Sequence, residues 1–86
     1  MIQPLVSVVI TFYSGTSWLN EALDSVYNQS YKNIEVLVIN DGSKQNIKKI
    51  TNLYNMNIKV INKDNGGPAS ARNVGIKESK VNILHF

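Results

Sequence analysis

Asp41 is the residue of this chain best placed to do chemistry. It ends the apolar run Val36-Leu37-Val38-Ile39 and opens the turn Asp41-Gly42-Ser43, so a carboxylate stands where a buried strand leaves its sheet. Such a group can accept a hydrogen bond from a ligand N–H, or cap its own turn through Gly42 and Ser43 as an Asx-turn. Local chemistry alone favours the turn. Tyr13 can stack on a base or sugar ring, or it can cover the end of a sheet. Arg72, the only arginine beside eight lysines, falls in the first turns of an expected helix whose N-terminus favours anions. A diphosphate contact and a surface salt bridge are both open to it. Gly66-Gly67 permits positive φ or the close approach of a ligand. The pair is neither a phosphate-binding loop ending in Lys-Ser/Thr nor a dinucleotide fingerprint opening the first helix. Asp64 and Asn73 are read as loop and helix-end hydrogen-bonding residues.

The elements that must position these residues follow from the patterning. Leu5-Val-Ser-Val-Val-Ile10 reads as a first buried strand, and Thr11 to Ser17 as the loop leaving its carboxyl end. Ser17 or Thr16 can cap a first helix, with Asn20 and Glu21 in its opening turn and Leu19, Ala22, Leu23 and Val26 on its buried face. A second strand begins at Ile34 or Glu35. A second helix carries Ile47, Ile50, Leu53 and Tyr54 at helical spacing until Asn55-Met-Asn57 breaks it. Ile58-Lys-Val-Ile61 is a third strand near a sheet edge, with Lys59 facing out. Pro68 suits a helix's first turn, and Ala69, Ala71, Val74 and Ile76 supply its packing residues. Val81 to Phe86 reads as a fourth strand.

The order β-α-β-α-β-α-β predicts an α/β fold with a doubly wound, mainly parallel sheet. The first strand is placed beside the second, the third outside the second, and the fourth on the other side of the first. Tyr13, Asp41 and the Gly66 loop then emerge along one edge, at a switch point where such sheets bind ligands.

Composition limits the alternatives. Eighty-six residues allow one domain at most, and a complete α/β enzyme is not expected at this size. The net charge of +3 comes from nine basic and six acidic residues, with no basic run interleaved with aromatics, so no nucleic-acid partner is expected. The absence of cysteine closes disulfide and thiolate–zinc readings. His85, the single histidine, is read as a packing residue rather than a metal ligand. No apolar run approaches the roughly 20 residues of a membrane span, and the first residues do not resemble a signal peptide. A cytoplasmic protein is the expectation.

Four blocks together are more specific than any one of them. Val6-Ser-Val-Val-Ile-Thr-Phe-Tyr13, Leu23-Asp-Ser-Val26 with Gln29-Ser-Tyr31, Glu35-Val-Leu-Val-Ile-Asn-Asp-Gly-Ser43, and Asn65-Gly-Gly-Pro-Ala-Ser-Ala-Arg-Asn-Val-Gly75 resemble the successive blocks of a family 2 glycosyltransferase with the GT-A fold. The resemblance covers nearly all of the chain and implies the Rossmann-like, donor-nucleotide half of such an enzyme.

What the resemblance implies can be carried over position by position. The loop after the first strand borders the donor nucleotide, which makes Thr11 and Tyr13 candidates for contact with the base. The aspartate ending the second strand hydrogen-bonds the base, which is Asp41 here and tips its reading toward ligand contact. Gly66 belongs to the glycine block beside the nucleotide, and Arg72 is expected near its diphosphate. The expected ligand is a nucleotide-diphosphate sugar, with a uridine-diphosphate sugar the first candidate. The expected reaction is inverting transfer of a hexosyl-type sugar to a polysaccharide, cell-surface glycan or lipid carrier. A divalent metal, Mn or Mg, is implied for the full-length enzyme, with peripheral association at the inner face of the membrane.

The family pattern is not matched throughout. Its common Pro and Asn of the first loop are Thr11 and Ser14 here, an adjustment of that loop. Its metal-binding Asp-x-Asp follows the fourth strand, and the 86 residues reach only Phe86. The expectation is therefore one partial domain over residues 1–86 that binds donor, holds no metal ligand and no catalytic residue, and transfers nothing alone. Two other readings stand beside it. A flavodoxin-like receiver module conflicts with Thr11 and Asn62 at the ends of the first and third strands. A non-catalytic α/β interaction module would pair through the open edge of the fourth strand as a homo-oligomer.

Overall fold

A computed structural model describes residues 4–78 and 82–85. Its elements are β1 (Val6–Phe12), α1 (Thr16–Asn28), β2 (Ile34–Asp41), α2 (Lys48–Thr51), β3 (Ile58–Lys63), α3 (Pro68–Glu78) and β4 (Asn82–His85). All strand pairs are parallel, and the sheet order is β3-β2-β1-β4. This is the α/β order expected from right-handed crossovers, with the reversal between β1 and β4.

Both faces of the two central strands are covered, which is why they read as mostly apolar rather than alternating. On one face Val8, Ile10 and Phe12 of β1 and Val36 and Val38 of β2 pack with Leu19, Ala22, Leu23 and Val26 of α1 and with Ile47. On the other, Val9, Leu37 and Ile39 pack with Ala71 of α3, and Ile61 and Val74 close the margin. Each aliphatic side chain buried in this way contributes about 1.5–3 kcal/mol relative to exposure. Ser7 and Glu35 are paired in register, and the buried Ser7 hydroxyl donates to the Glu35 carboxylate, so this polar pair in the interior is satisfied.

Several local expectations are corrected. Neither Thr16 nor Ser17 caps α1: Gly15 stands at the N-cap with φ of 91° and no side-chain cap. The helix starts at Thr16, which moves Asn20 and Glu21 beyond its first turn. The second helix shrinks to the four residues Lys48–Thr51. Ile47 stays buried and Ile50 and Tyr54 pack against the core, but Leu53 is 78% exposed. Four residues make barely one turn, too few to hold a fourth apolar position on the buried face. On α3, Ala69 is exposed and Ile76 is 49% exposed, because the contact face runs through Ala71, Val74 and the buried Gly75. Strands β1 and β3 each continue two residues beyond their expected ends, so Thr11, Phe12, Asn62 and Lys63 lie in the sheet. Val81 and Phe86 lie outside the described residues, as does the side chain of His85.

Candidate functional site

Because every strand runs the same way, their carboxyl ends share one edge of the sheet. There Asn40 and Asp41 end β2, Phe12 ends β1, and Asn62 and Lys63 end β3. The parallel register places Asp41 directly beside Lys63 and Asn40 beside Asn62.

The turn after β2 is built by Asn40 and not by Asp41. Asn40 Oδ1 accepts from the Ser43 amide at 3.0 Å, while its Nδ2 donates to the Ser43 carbonyl at 3.0 Å and to Asn62 Oδ1 at 3.0 Å. The expected Asx-turn at Asp41 is not formed: the turn is closed by the Asn40 side chain to the amide three residues on, and the Asp41 carboxylate turns toward the loop between β3 and α3. Its Oδ1 accepts from Lys63 Nζ at 2.8 Å and from the Gly66 amide at 2.9 Å, and its Oδ2 accepts from the Gly67 amide at 3.0 Å. The Asp41 carbonyl accepts from Asn65 Nδ2 at 3.1 Å. One carboxylate thus organises the whole loop.

Electrostatics follow from those donors. The hydrogen bond from Lys63, followed by that from the Gly66 amide, holds the Asp41 carboxyl below its ordinary value, against the opposing effect of burial. Asp41 is therefore an ionised acceptor at neutral pH. A carboxylate offers about four acceptor positions, and the chain fills three of them. The remaining one belongs to Oδ2.

A cavity of about 270 Å³ opens beside this group, lined by Thr11, Phe12, Tyr13, Asp41, Asn65, Gly67 and Ala71. Its size is near the lower end of the range for small-molecule sites, roughly 300–1,000 Å³, and suits a flat ring better than a whole nucleotide sugar. A second hollow, of about 340 Å³, adjoins it through Tyr13 and is lined also by Ser14, Gly42, Ser43, Lys44 and Gln45. Tyr13, 59% exposed, forms a wall of both. Another cavity of about 270 Å³ lies toward the opposite edge, lined by Tyr27, Tyr31 and Met56 among others, and no carboxylate borders it.

Of the five residues singled out from the sequence, Thr11, Tyr13 and Asp41 come together around one cavity. Gly66 stands behind it and contributes its amide to Asp41. Arg72 is exposed on α3 and does not line the cavity. Sequence reasoning missed Lys63, whose signal was its place in a β3 that runs on past Ile61 to face Asp41. Phe12, Asn65 and Ala71 were also missed as lining residues, and Gly67, read as open to a ligand's approach, does line the cavity.

Among the described residues, no three His, Cys, Asp or Glu side chains gather where they could hold a metal ion. Asp41, the carboxylate bordering the cavity, is engaged by Lys63 and two amides. The described residues do not fit a metal centre. No helix among them is long and apolar enough to cross a membrane.

Comparison with known proteins places this geometry in context. The model of the family described as Glycosyl transferase family 2 matches residues 7–86. An uncharacterized glycosyltransferase of Rickettsia prowazekii is 48% identical over 78 residues, covering 91% of this chain and 24% of that protein. Glycosyltransferase GlyG of Streptococcus pneumoniae is 35% identical over 83 residues, covering 92% of this chain and 28% of that protein. The crystal structure of S. aureus TarS 1–349 superposes with a TM-score of 0.84 at 28% identity, covering 96% of this chain and 27% of that one. The chain thus spans about a quarter of the length of these relatives.

Proposed function

The chain belongs to glycosyl transferase family 2, and from that premise we propose that its 86 residues are the donor-nucleotide half of a sugar transferase. The donor is a nucleotide-diphosphate sugar, and a uridine diphosphate is the first to test. The observation that carries the reading is the Asp41 carboxylate, ionised and fixed by three donors, with one acceptor position left beside a ring-sized cavity. An imide N–H of a base supplies the matching donor, and a buried charge-assisted hydrogen bond of this kind discriminates strongly against ligands that lack the donor. Thr11 and Tyr13 flank the ring, Tyr13 offering its face for stacking. Gly66 fixes the carboxylate from behind. Arg72, on the first turns of α3, lies outside the base cavity and is assigned to the diphosphate, which a nucleotide directs away from its base.

The finer reading is an inverting transfer of a hexosyl-type sugar, to an acceptor of the polysaccharide, cell-surface glycan or lipid-carrier class. Proton removal from the acceptor hydroxyl requires a general base, and no residue of this chain is assigned that role. The chain alone binds donor and does not turn it over. The compartment that goes with this reading is the cytoplasm, with peripheral attachment of the longer enzyme at the membrane's inner face.

Titration of uridine diphosphate into ¹⁵N-labelled chain tests the proposal. Amide shifts are expected at Tyr13, Asp41, Gly66 and Arg72, and Asp41→Ala should weaken binding by at least about tenfold, as expected for loss of a hydrogen bond to a charged group. No binding, or shifts confined to the opposite edge around Tyr27 and Tyr31, would overturn it.

A further inference from the structure

We propose that Lys63 is a positioning residue for donor recognition: it occupies Asp41 Oδ1, so that only Oδ2 is offered to the base. The inference rests on the donor-site reading above and adds a residue that reading does not use.

The geometry is unusual for a lysine. The Lys63 side chain is only 16% exposed, although lysines are rarely buried unless paired. Its ammonium group donates to Asp41 Oδ1 at 2.8 Å and to the Asp64 carbonyl, which ties β3, β2 and the following loop together. It does not line the cavity, so its route to a ligand runs through Asp41. Gly66 shows how closely the ammonium is seated. A Cβ at that position would stand 3.1 Å from Lys63 Nζ and 2.9 Å from Ser70 Oγ, so these side-chain ends would have to shift to admit it. With Lys63 and the Gly66 amide both on Oδ1, that oxygen has no acceptor position left. Oδ2, held by the Gly67 amide alone, keeps one.

Among the described residues no other charged side chain bonds Asp41. Thr11, Phe12 and Tyr13 face the shared cavity from the β1 end, and Ala71 faces it from α3. The loop offers the amides of Gly66 and Gly67 and the side chain of Asn65. Asp64 meets Lys63 through its backbone carbonyl, and Arg72 is exposed away from the cavity lining. Lys63 is thus the charged partner that lowers the Asp41 carboxyl, and its removal should let Asp41 take up a proton at a higher pH.

Two measurements across pH on wild type, Lys63→Met and Lys63→Arg test this. The first is the pH titration of the Asp41 carboxyl carbon by NMR, which needs no ligand. Its midpoint should move up in Lys63→Met and stay near the wild-type value in Lys63→Arg. The second is affinity for uridine diphosphate. Lys63→Met should bind roughly three- to tenfold more weakly at neutral pH, within the range of coupled neighbours, and lose binding at a higher pH than wild type as the solution is acidified. Lys63→Arg should restore both. If wild type binds and Lys63→Met titrates and binds as wild type does, the positioning role is wrong. If wild type fails to bind at all, the donor-site reading fails instead. An unfolded Lys63→Met, recognised by loss of its amide dispersion, leaves the decision to Lys63→Gln, which keeps a polar side chain at the position without its charge and carries the same two expectations.

Discussion

Gly75 of α3 lies so close to Val9 of β1 that a Cβ on the glycine would stand 2.3 Å from Val9 Cγ1. Val9 is fully buried in a strand paired on both sides, so it cannot step aside. This contact sets the distance of α3 from the sheet. The same helix follows directly on the Gly66-Gly67 segment that holds Asp41, so packing and site share one constraint.

Gly75→Ala should therefore destabilise the fold. A helical Gly-to-Ala change alone favours folding by about 1 kcal/mol, but overpacking against a fixed strand costs about 1–3 kcal/mol. A net loss of up to about 2 kcal/mol is expected in urea denaturation. Combining it with Val9→Ala should recover part of the loss, a coupling that a double-mutant cycle reads directly. A Gly75→Ala variant more stable than wild type would refute the close-contact account.

Two other glycines separate backbone strain from crowding. Gly42 has φ of 83° and Gly67 has φ of 89°. Alanine at either pays the left-handed cost of about 1–2 kcal/mol. At Gly42 the new Cβ also meets Asn65 Cβ and the Asn65 amide nitrogen at 2.8 Å, whereas at Gly67 it meets nothing within 4 Å. Gly42→Ala should thus be the more destabilising of the two. It should also disturb the Asn65 side of the cavity, seen as amide shifts from Asn65 to Gly67. Equal denaturation midpoints for the two variants would contradict this.

Asp41 should leave a signature in the acid limb of stability. Its folded value lies below the ordinary 3.8, so its contribution is present above about that pH and is lost as pH falls through the folded value. Asp41→Asn should be clearly less stable than wild type near neutrality, because Lys63 is left without its carboxylate. The gap should narrow as pH drops below about 4, where the unfolded chain takes up the proton, and close as pH falls through the lower folded value. Urea midpoints from pH 7 to pH 2.5 measure this, and a gap that stays constant would show that the charge of Asp41 is not what matters.

The sheet order was legible because of apolar-rich, β-branched runs, the four residues Val36–Ile39 foremost, separated by segments long enough for crossovers. Asp41 was legible for the same reason, since it punctuates the strongest of those runs. What stayed hidden depended on register. Lys63 reads as a loop residue until β3 is aligned against β2 and brings it beside Asp41. Asn40 and Asp41 are adjacent polar residues at a turn, and the one whose side chain closes it, Asn40, is the one also held by Asn62 of the neighbouring strand. Leu53 failed differently. Its helical spacing was real in the sequence, but the helix ends at Thr51 before that spacing can act.

Tyr54 offers a test of how the far side of the molecule is held. Its ring meets that of Tyr27 edge-on, with centroids 6.0 Å apart. Its hydroxyl stands 2.6 Å from Asp24 Oδ1 and 3.2 Å from the Asn20 carbonyl of α1. Burial, then the hydrogen bond to Asp24 and that residue's negative charge, push its phenol up to about 12. A raised folded value means that the stabilisation is complete below the ordinary 10.0 and is lost as pH rises through about 12. Tyr54→Phe keeps the ring and removes only the hydroxyl, so a loss of about 1 kcal/mol is expected at pH 7. That difference should hold up to about pH 10 and shrink above it, as phenolate formation removes the same bond from wild type. In the ultraviolet titration, one of the four tyrosines should ionise late in wild type, and that late step should be missing in Tyr54→Phe. If the late step persists in the variant, the tether between Tyr54 and α1 is not its cause.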